Sequence, residues 1–382
     1  MGTPKVVVLR GVLKMKQAFH KIINILEYQE REISNYRISV GFDGFIDRIV
    51  KAVKTNLQGE RDFFSQMGEF INYVLARKEG DCNIEIVERL SKIGGNAPIL
   101  SNALGKLGIK VDCICTAGVP DIEEVFSEML PNCTIHSIGR PGYTIALEFD
   151  DGKLIFGETG ILDDVDWEYL KKRIGVQNLK ELILNSDILA LVNWSEMKGA
   201  NDIWEGVFNE ILKGTAGNQV IYFDLCDFSA KLQEEIIHVM NLIEKYASIR
   251  PTVLAVNEKE GLTLANILSG LHNNSHELRR IVEDVYKRIK VDIFILHSAK
   301  STFAADRNGV YEVKTAFVEH PVLLTGSGDN FNAGFCLGLL LKMDIISSLL
   351  LGNAVAGYYV RNGKSPTLKE LIVFLKQWMN KC

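Results

Sequence analysis

The sequence predicts an α/β fold, a mostly parallel sheet between layers of helices with a small second sheet beside it, and three observations lead there. Short β-branched runs alternate with longer helical patterns, the rhythm of strand–helix–strand crossover units. Two segments break that rhythm, and one of them alternates with a period near two, as strands outside the core do. The composition, 47% hydrophobic and 24% charged over 382 residues, is that of a globular chain able to bury a large core.

Taken in order, residues 1–35 read as an N-terminal extension, a short strand plus a helix, ahead of a main domain at 36–382. Buried strands are expected at 37–41, 111–116, 188–192, 220–224, 252–256 and 293–297, each an apolar run bounded by polar or glycine residues. Helices are expected at 97–107, 201–212, 230–246, 278–290 and 368–380. The first interrupting segment spans about 45–92 and holds an amphipathic helix at 62–77 between two extended pieces. The second spans 133–158, with Asp150-Asp151-Gly152 as a hairpin turn. Together these segments read as a small sheet that covers a cleft as a lid.

Charge and cysteine usage exclude several functions. Forty-three Lys and Arg against 48 Asp and Glu leave a net charge of -5, without the basic excess of a nucleic-acid binder. Seven cysteines form no C-x-x-C pair for zinc or redox chemistry, and their odd number suits a reduced, cytoplasmic compartment. Lysines interrupt the apolar stretch near the N-terminus, against a secretory signal. The apolar region 333–360 is cut by Lys342 and Asp344 into pieces shorter than the roughly 18 residues that span a bilayer, so no membrane partner is expected.

Four strings at strand-to-helix junctions carry the chemistry. In Thr325-Gly326-Ser327-Gly328-Asp329-Asn330-Phe331-Asn332-Ala333-Gly334, the small residues Gly326, Ser327 and Gly328 let amides converge at a helix start as an anion hole. Asp329 at its mouth reads as a general base, or as a simple helix cap. Gly94-Gly95-Asn96-Ala97-Pro98 permits close backbone approach to a polyol with Asn96 offering a donor and an acceptor, or is an ordinary helix start. VGFDGFIDR places Asp43 and Asp47 at the carboxyl end of the first core strand, where ligands of open α/β sheets bind. Either carboxylate reads as a holder of sugar hydroxyls or as part of a solvated turn. In VNEKEG, Glu260 reads as a ligand to hydrated magnesium through water and Asn257 as a phosphate contact, or the pair as an acidic helix start. Asp224 and Asp227 follow another strand, near a nucleotide or metal or as caps. His297 reads as a packed or capping residue, and His272, Asn273, Asn274, Ser275 and His276 as a polar loop.

These four strings, in this order, resemble the ribokinase or PfkB family of carbohydrate and nucleoside kinases over roughly residues 36–380. Gly326, Gly328, Asp329, Phe331 and Gly334 match that family's D-T-x-G-A-G-D-x-F-x-x-G pattern. The resemblance implies a ribokinase-like three-layer core with a small β lid, and phosphorylation of a sugar hydroxyl by ATP and Mg2+ through direct in-line transfer. It puts the base on Asp329, the substrate-orienting aspartate on Asp47, the glycine pair on Gly94 and Gly95 and the N-x-x-E motif on Asn257 and Glu260. It also puts the nucleotide border on 297–302, with Ser298 and Ala299, and the wall beside the base on Asn353 and Ala354. The lid makes a dimer contact in some members, so a homodimer through the lid is among the expectations.

Three departures are informative. Leu323 and Leu324 stand at the D-T positions, which implies a missing or rebuilt monovalent cation site. Ile99 stands where many sugar kinases carry a substrate-binding Asn, which implies another substrate or pose. The nucleotide border lacks both of its usual glycines. A nucleoside or hydroxymethyl-heterocycle kinase and a non-catalytic ligand-binding relative are the alternatives.

Overall fold

The computed structural model describes residues 6–8, 12–57, 59–269 and 277–381. Its main sheet has ten strands, in the spatial order Val6–Val8, Gly309–Lys314, Ser301–Asp306, Ile293–His297, Thr252–Asn257, Val220–Asp224, Ile188–Val192, Arg37–Phe42, Lys110–Cys115 and Cys133–Ser137. From Ile293–His297 to Cys133–Ser137 every pairing is parallel. Strands covered on both faces need apolar side chains on both, and Ile188–Val192 is buried at every position. Ile188, Ala190 and Val192 enter one core cluster while Leu189 and Leu191 enter the other. Helices Asn96–Lys106, Ser327–Leu340 and Ile345–Asn362 pack in the first cluster, and Ala200–Gly206, Gln233–Ala247 and Leu278–Tyr286 in the second, which makes the three layers.

The six expected core strands all form. Three local readings change. Cys133–Ser137, read with the lid, extends the core sheet instead, because Cys133 is buried against helix Asn96–Lys106 and donates to the Ser101 carbonyl. The helix read at 62–77 is shorter, Met67–Leu75, and is preceded by the strand Glu60–Phe63. The hairpin Ser301–Asp306 and Gly309–Lys314 adds two antiparallel strands that the reading passed over, although Asn308-Gly309 is a turn signal. The first residues dock: Val6–Val8 pairs with Gly309–Lys314, and Phe19 of helix Val12–Gln29 lies edge-on to Trp378 at 5.0 Å. The loop of His272, Asn273, Asn274, Ser275 and His276 lies outside the described residues. Among the described residues no helix is long and apolar enough to cross a membrane.

The lid is a five-stranded sheet built from Phe45–Leu57, Glu60–Phe63, Ile86–Gly94, Gly142–Phe149 and Gly152–Glu158. Its last two strands meet at the expected Asp150-Asp151 turn. Alternation gives it two unlike faces. Val50, Ala52, Leu147 and Phe149 pack under helix Met67–Leu75, with Phe64, Phe70 and Tyr73 in edge and tilted ring contacts. The chain's own helix therefore covers that face, and a dimer contact through the lid would have to use another surface. The opposite face carries Asp47, Lys92 and Thr144, which are register partners.

Candidate active site

Helix Ser327–Leu340 starts where Gly326 adopts φ +91°, and a Cβ there would lie 2.9 Å from the Tyr359 hydroxyl. Only glycine suits this corner. The Ser327 amide is spent on the Leu324 carbonyl, so Gly328 and Asp329 are the residues whose amides open the first turn toward a ligand. Asp329 does not cap its own helix. Its Oδ1 accepts from Asn96 Nδ2 at 3.0 Å, and the residue lines a cleft of about 730 Å3 together with Ser327 and Gly328. Burial, then the Asp224 and Asp43 carboxylates, push its pKa well above the ordinary range, while the Asn96 bond and Lys92 oppose the shift. A carboxyl with raised proton affinity in a cleft suits proton abstraction.

Asp43 and Asp47 have different positions. Asp43 ends the turn out of the core sheet and is fully buried. Its Oδ2 accepts from the Asn96 amide at 2.8 Å and from Asn193 Nδ2 at 2.6 Å, and its Oδ1 from the Ala97 amide at 2.9 Å. The substrate contact read for Asp43 is thereby replaced by anchoring of helix Asn96–Lys106, which aims Asn96 at Asp329. Burial, partly offset by those three donors, raises its pKa to about 6. Asp47, four residues on, belongs to the lid. Its carboxylate accepts from Thr144 Oγ1 and faces Lys92 Nζ at 3.6 Å.

The glycine pair serves both aspartates. A Cβ on Gly94 would fall 2.2 Å from Asp47 Oδ1, and one on Gly95, which also has φ +84°, 2.6 Å from Asp43 Oδ2. Gly94 and Gly95 thus make room for two carboxylates. Ile99, at the position where many sugar kinases carry a substrate-binding Asn, packs against the anion loop, 3.2 Å from where a Gly326 Cβ would stand.

The remaining predicted residues line the other end of the cleft. Asn257, Ser298, Ala299 and Asn353 are there, with His297 and the apolar Phe317, Val318 and Ala356. Asn353 Nδ2 donates to Thr302 Oγ1 at 2.9 Å, holding its helix to the hairpin. His297 is a packing residue, tilted on Phe331 at 5.4 Å. Glu260 sits behind Asn257 rather than on the surface of the cleft, and the two make a reciprocal cap: Glu260 accepts from the Asn257 amide and Nδ2, and its own amide donates to Asn257 Oδ1. Burial and then Asp224 raise the Glu260 pKa to about 9.

Asp224, Asn193, Thr144 and Lys92 are site residues that the sequence reading passed over or left open. Asp224 lines the cleft, with Oδ2 taking a hydrogen bond from Asn332 Nδ2 at 2.6 Å, and Asn332 in turn accepts from Tyr222 Oη at 2.7 Å. Asn193 and Asp224 both follow a core strand, the signal that singled out the other strings; Thr144 and Lys92 had no such signal. Asp227 turns away to Lys259 at 3.0 Å. Among the described residues no three acidic, histidine or cysteine side chains sit close enough to cage a metal. The Asp224 carboxylate nevertheless raises the proton affinities of both Glu260 and Asp329 around one cleft, a repulsion that a cation would relieve. A hydrated magnesium ion held through water and the phosphates of a nucleotide fits that donor set.

The model of the family described as "Khk: Prokaryotic ketohexokinase" matches residues 19–378. A ketohexokinase of Haloferax volcanii is 28% identical over 348 residues, 90% of this chain and 92% of that protein. Among solved structures, Arabidopsis thaliana ribokinase complexed with ribose and ATP aligns with TM-score 0.62 and 16% identity, covering 89% of this chain and 98% of its own. Thermotoga maritima ribokinase aligns with TM-score 0.58 and 18% identity, over 89% and 99%. Methanocaldococcus jannaschii nucleoside kinase gives TM-score 0.58 and 18% identity, over 89% and 98%. The fold is ribokinase-like, as these likenesses and the three layers agree.

Proposed function

The chain belongs to the prokaryotic ketohexokinase family and is a sugar kinase, and on that premise we propose that it transfers the terminal phosphoryl group of ATP to a hydroxyl of a ketohexose. The observation that carries the reading is the bond from Asn96 to Asp329. It ties the base at the phosphate-binding helix to Asn96, the residue that follows the lid strand Ile86–Gly94 and its glycine pair, and both side chains line one cleft with the nucleotide-end residues. In this reading the sugar lies under the lid against Asp47 and Asn96, with one hydroxyl at Asp329 Oδ2. Asp329 takes the hydroxyl proton as the new P–O bond forms and the bond to the leaving ADP breaks. The Gly328 and Asp329 amides hold the charge that grows on the phosphoryl oxygens. Asn257, Ser298, Ala299 and Asn353 border the nucleotide, and magnesium would be held through water on the cleft side by Asp224, with the charge of Glu260 reaching it from behind Asn257. When bound, that ion neutralises the phosphates.

Turnover by purified protein with MgATP and a panel of ketohexoses, aldohexoses, pentoses and nucleosides tests this. A ketohexose is expected to have kcat/KM at least about tenfold above any other acceptor. A nucleoside as the best acceptor, or no turnover at all, defeats the assignment. ADP in place of ATP belongs in the same panel.

Gly94 gives a narrower check on the acceptor end. Adding a methyl group as Gly94→Ala displaces a carboxylate that Thr144 and Lys92 hold from the other side. Loss of a charged hydrogen bond of about 1.5–3 kcal/mol corresponds to a rise in acceptor KM of roughly 10- to 100-fold. The nucleotide KM is expected to stay within about twofold. Equal rises in both would show that Gly94 serves general folding.

A further inference from the structure

Lys153 is a lid cation that makes no close ion pair among the described residues, although Asp47 and Glu148 act on it from farther off. It lies at the start of strand Gly152–Glu158, directly opposite Glu148 in register, and so on the face of the lid that also carries Asp47 and Thr144. Its Nζ crosses to the core and donates to Thr325 Oγ1, the residue immediately before Gly326. Lys92, on the same face, is matched by Asp47, whereas the contact of Lys153 is to a neutral hydroxyl. Partial burial, and next the Lys92 ammonium, hold its pKa below the usual lysine range, with the Asp47 and Glu148 carboxylates only partly offsetting them. An ammonium held in that way contacts the residue just before the glycine corner at which the anion-binding helix Ser327–Leu340 starts, with a neutral hydroxyl in the place where an anion would suit it better. Thr325 is otherwise fixed, because its carbonyl accepts from Tyr359 Oη at 2.7 Å.

Building on the kinase reading above, we propose that Lys153 is a catalytic residue that the lid delivers to the transferring phosphoryl group, exchanging Thr325 Oγ1 for a phosphoryl oxygen. It remains protonated throughout. Asp329 receives the acceptor proton, the electron pair of the breaking P–O bond leaves with ADP, and Lys153 offsets the charge on the oxygens between them. Because the cation travels with the lid, transfer to an acceptor is coupled to lid closure, and transfer to water under an open lid is disfavoured.

The test uses the full chain carrying Lys153→Met, Lys153→Arg or Thr325→Val, each checked for an unchanged melting temperature. Steady-state kinetics are read beside the affinity for ADP with aluminium fluoride, magnesium and the acceptor, a mimic of the planar phosphoryl group. Lys153→Met is expected to lower kcat by about 100-fold and to weaken the aluminium fluoride complex by a similar factor, while the affinity for ADP alone and the acceptor KM stay within about threefold. Lys153→Arg recovers part of both losses, and Thr325→Val stays within about threefold of wild type. Unchanged kcat in Lys153→Met overturns the proposal. So does a Thr325→Val variant that reproduces Lys153→Met, which would make the contact a structural latch, or an acceptor KM that rises while kcat holds, which would make Lys153 part of the acceptor site. Wild-type turnover across the acceptor panel separates a wrong sugar from a wrong role for Lys153, since the variants are then read with whichever acceptor is used.

Discussion

Asp329→Asn is expected to lower kcat by roughly 1,000-fold or more, within the range that a positioned general base contributes, while ATP binds with nearly unchanged affinity. The substitution keeps shape, and the amide oxygen still accepts from Asn96 Nδ2. What disappears is the capacity to take a proton. The nucleotide end of the cleft, with Asn353 on Thr302 and the Asn257–Glu260 cap, touches none of the atoms that change. The wild-type carboxyl is held above the ordinary range by its burial and by Asp224 and Asp43. Activity should therefore rise with pH as that carboxyl ionises, with an acid limb displaced upward from that of an exposed aspartate, and the limb should vanish from the residual rate of the variant. Single-turnover rates with saturating ATP measure the step directly. Turnover within tenfold of wild type would remove Asp329 from the chemistry and leave Asn96 pointing at a bystander.

How far the site was legible in the sequence depends on the distance over which each signal acts. The core strands could be read because strands covered on both faces need unbroken apolar runs, and Ile188–Val192 and Val220–Asp224 fall where those runs are. The anion loop could be read because its glycines and its aspartate are adjacent in sequence. The residues alone could not tell Asp43 from Asp47, although the family resemblance put the substrate-orienting role on Asp47, since their difference lies in where the chain leaves the core sheet, between Phe42 and Phe45. The residue on the core side is buried as an anchor, and the one on the lid side faces Lys92 and Thr144. The partnership of Gly94 with Asp47 and of Gly95 with Asp43 depends on the antiparallel register of Phe45–Leu57 with Ile86–Gly94, which no local pattern encodes. Asn257 and Glu260 form the reciprocal helix cap of their plainer reading, and because that cap uses the same atoms a phosphate and magnesium role would use, the local pattern alone could not separate the two readings. Cys133–Ser137 misled because an alternating run looks alike at the edge of either sheet.

Asp43→Ala is expected to cost about 3–5 kcal/mol of stability, since it strands two backbone amides and the Asn193 side chain inside a fully buried pocket. The loss propagates to function through one helix. Asp43 pins the first turn of Asn96–Lys106, and with the pin gone Asn96 no longer holds Asp329, so kcat falls in protein that is still folded. The pH dependence gives the anchor a signature of its own. In the fold Asp43 has a pKa of about 6, raised from an ordinary 3.8, so the native state binds this proton more tightly than the unfolded chain. Its contribution is complete below the unfolded pKa and is lost as pH rises from about 4 to about 6, up to roughly 3 kcal/mol. The stability gap between wild type and Asp43→Ala should therefore be wider at pH 4 than at pH 7, as read from urea midpoints at the two pH values. A gap below about 1 kcal/mol, or one that does not change with pH, would mean that Asn96, Ala97 and Asn193 find other acceptors, and that the helix aiming at Asp329 is held by its hydrophobic packing alone.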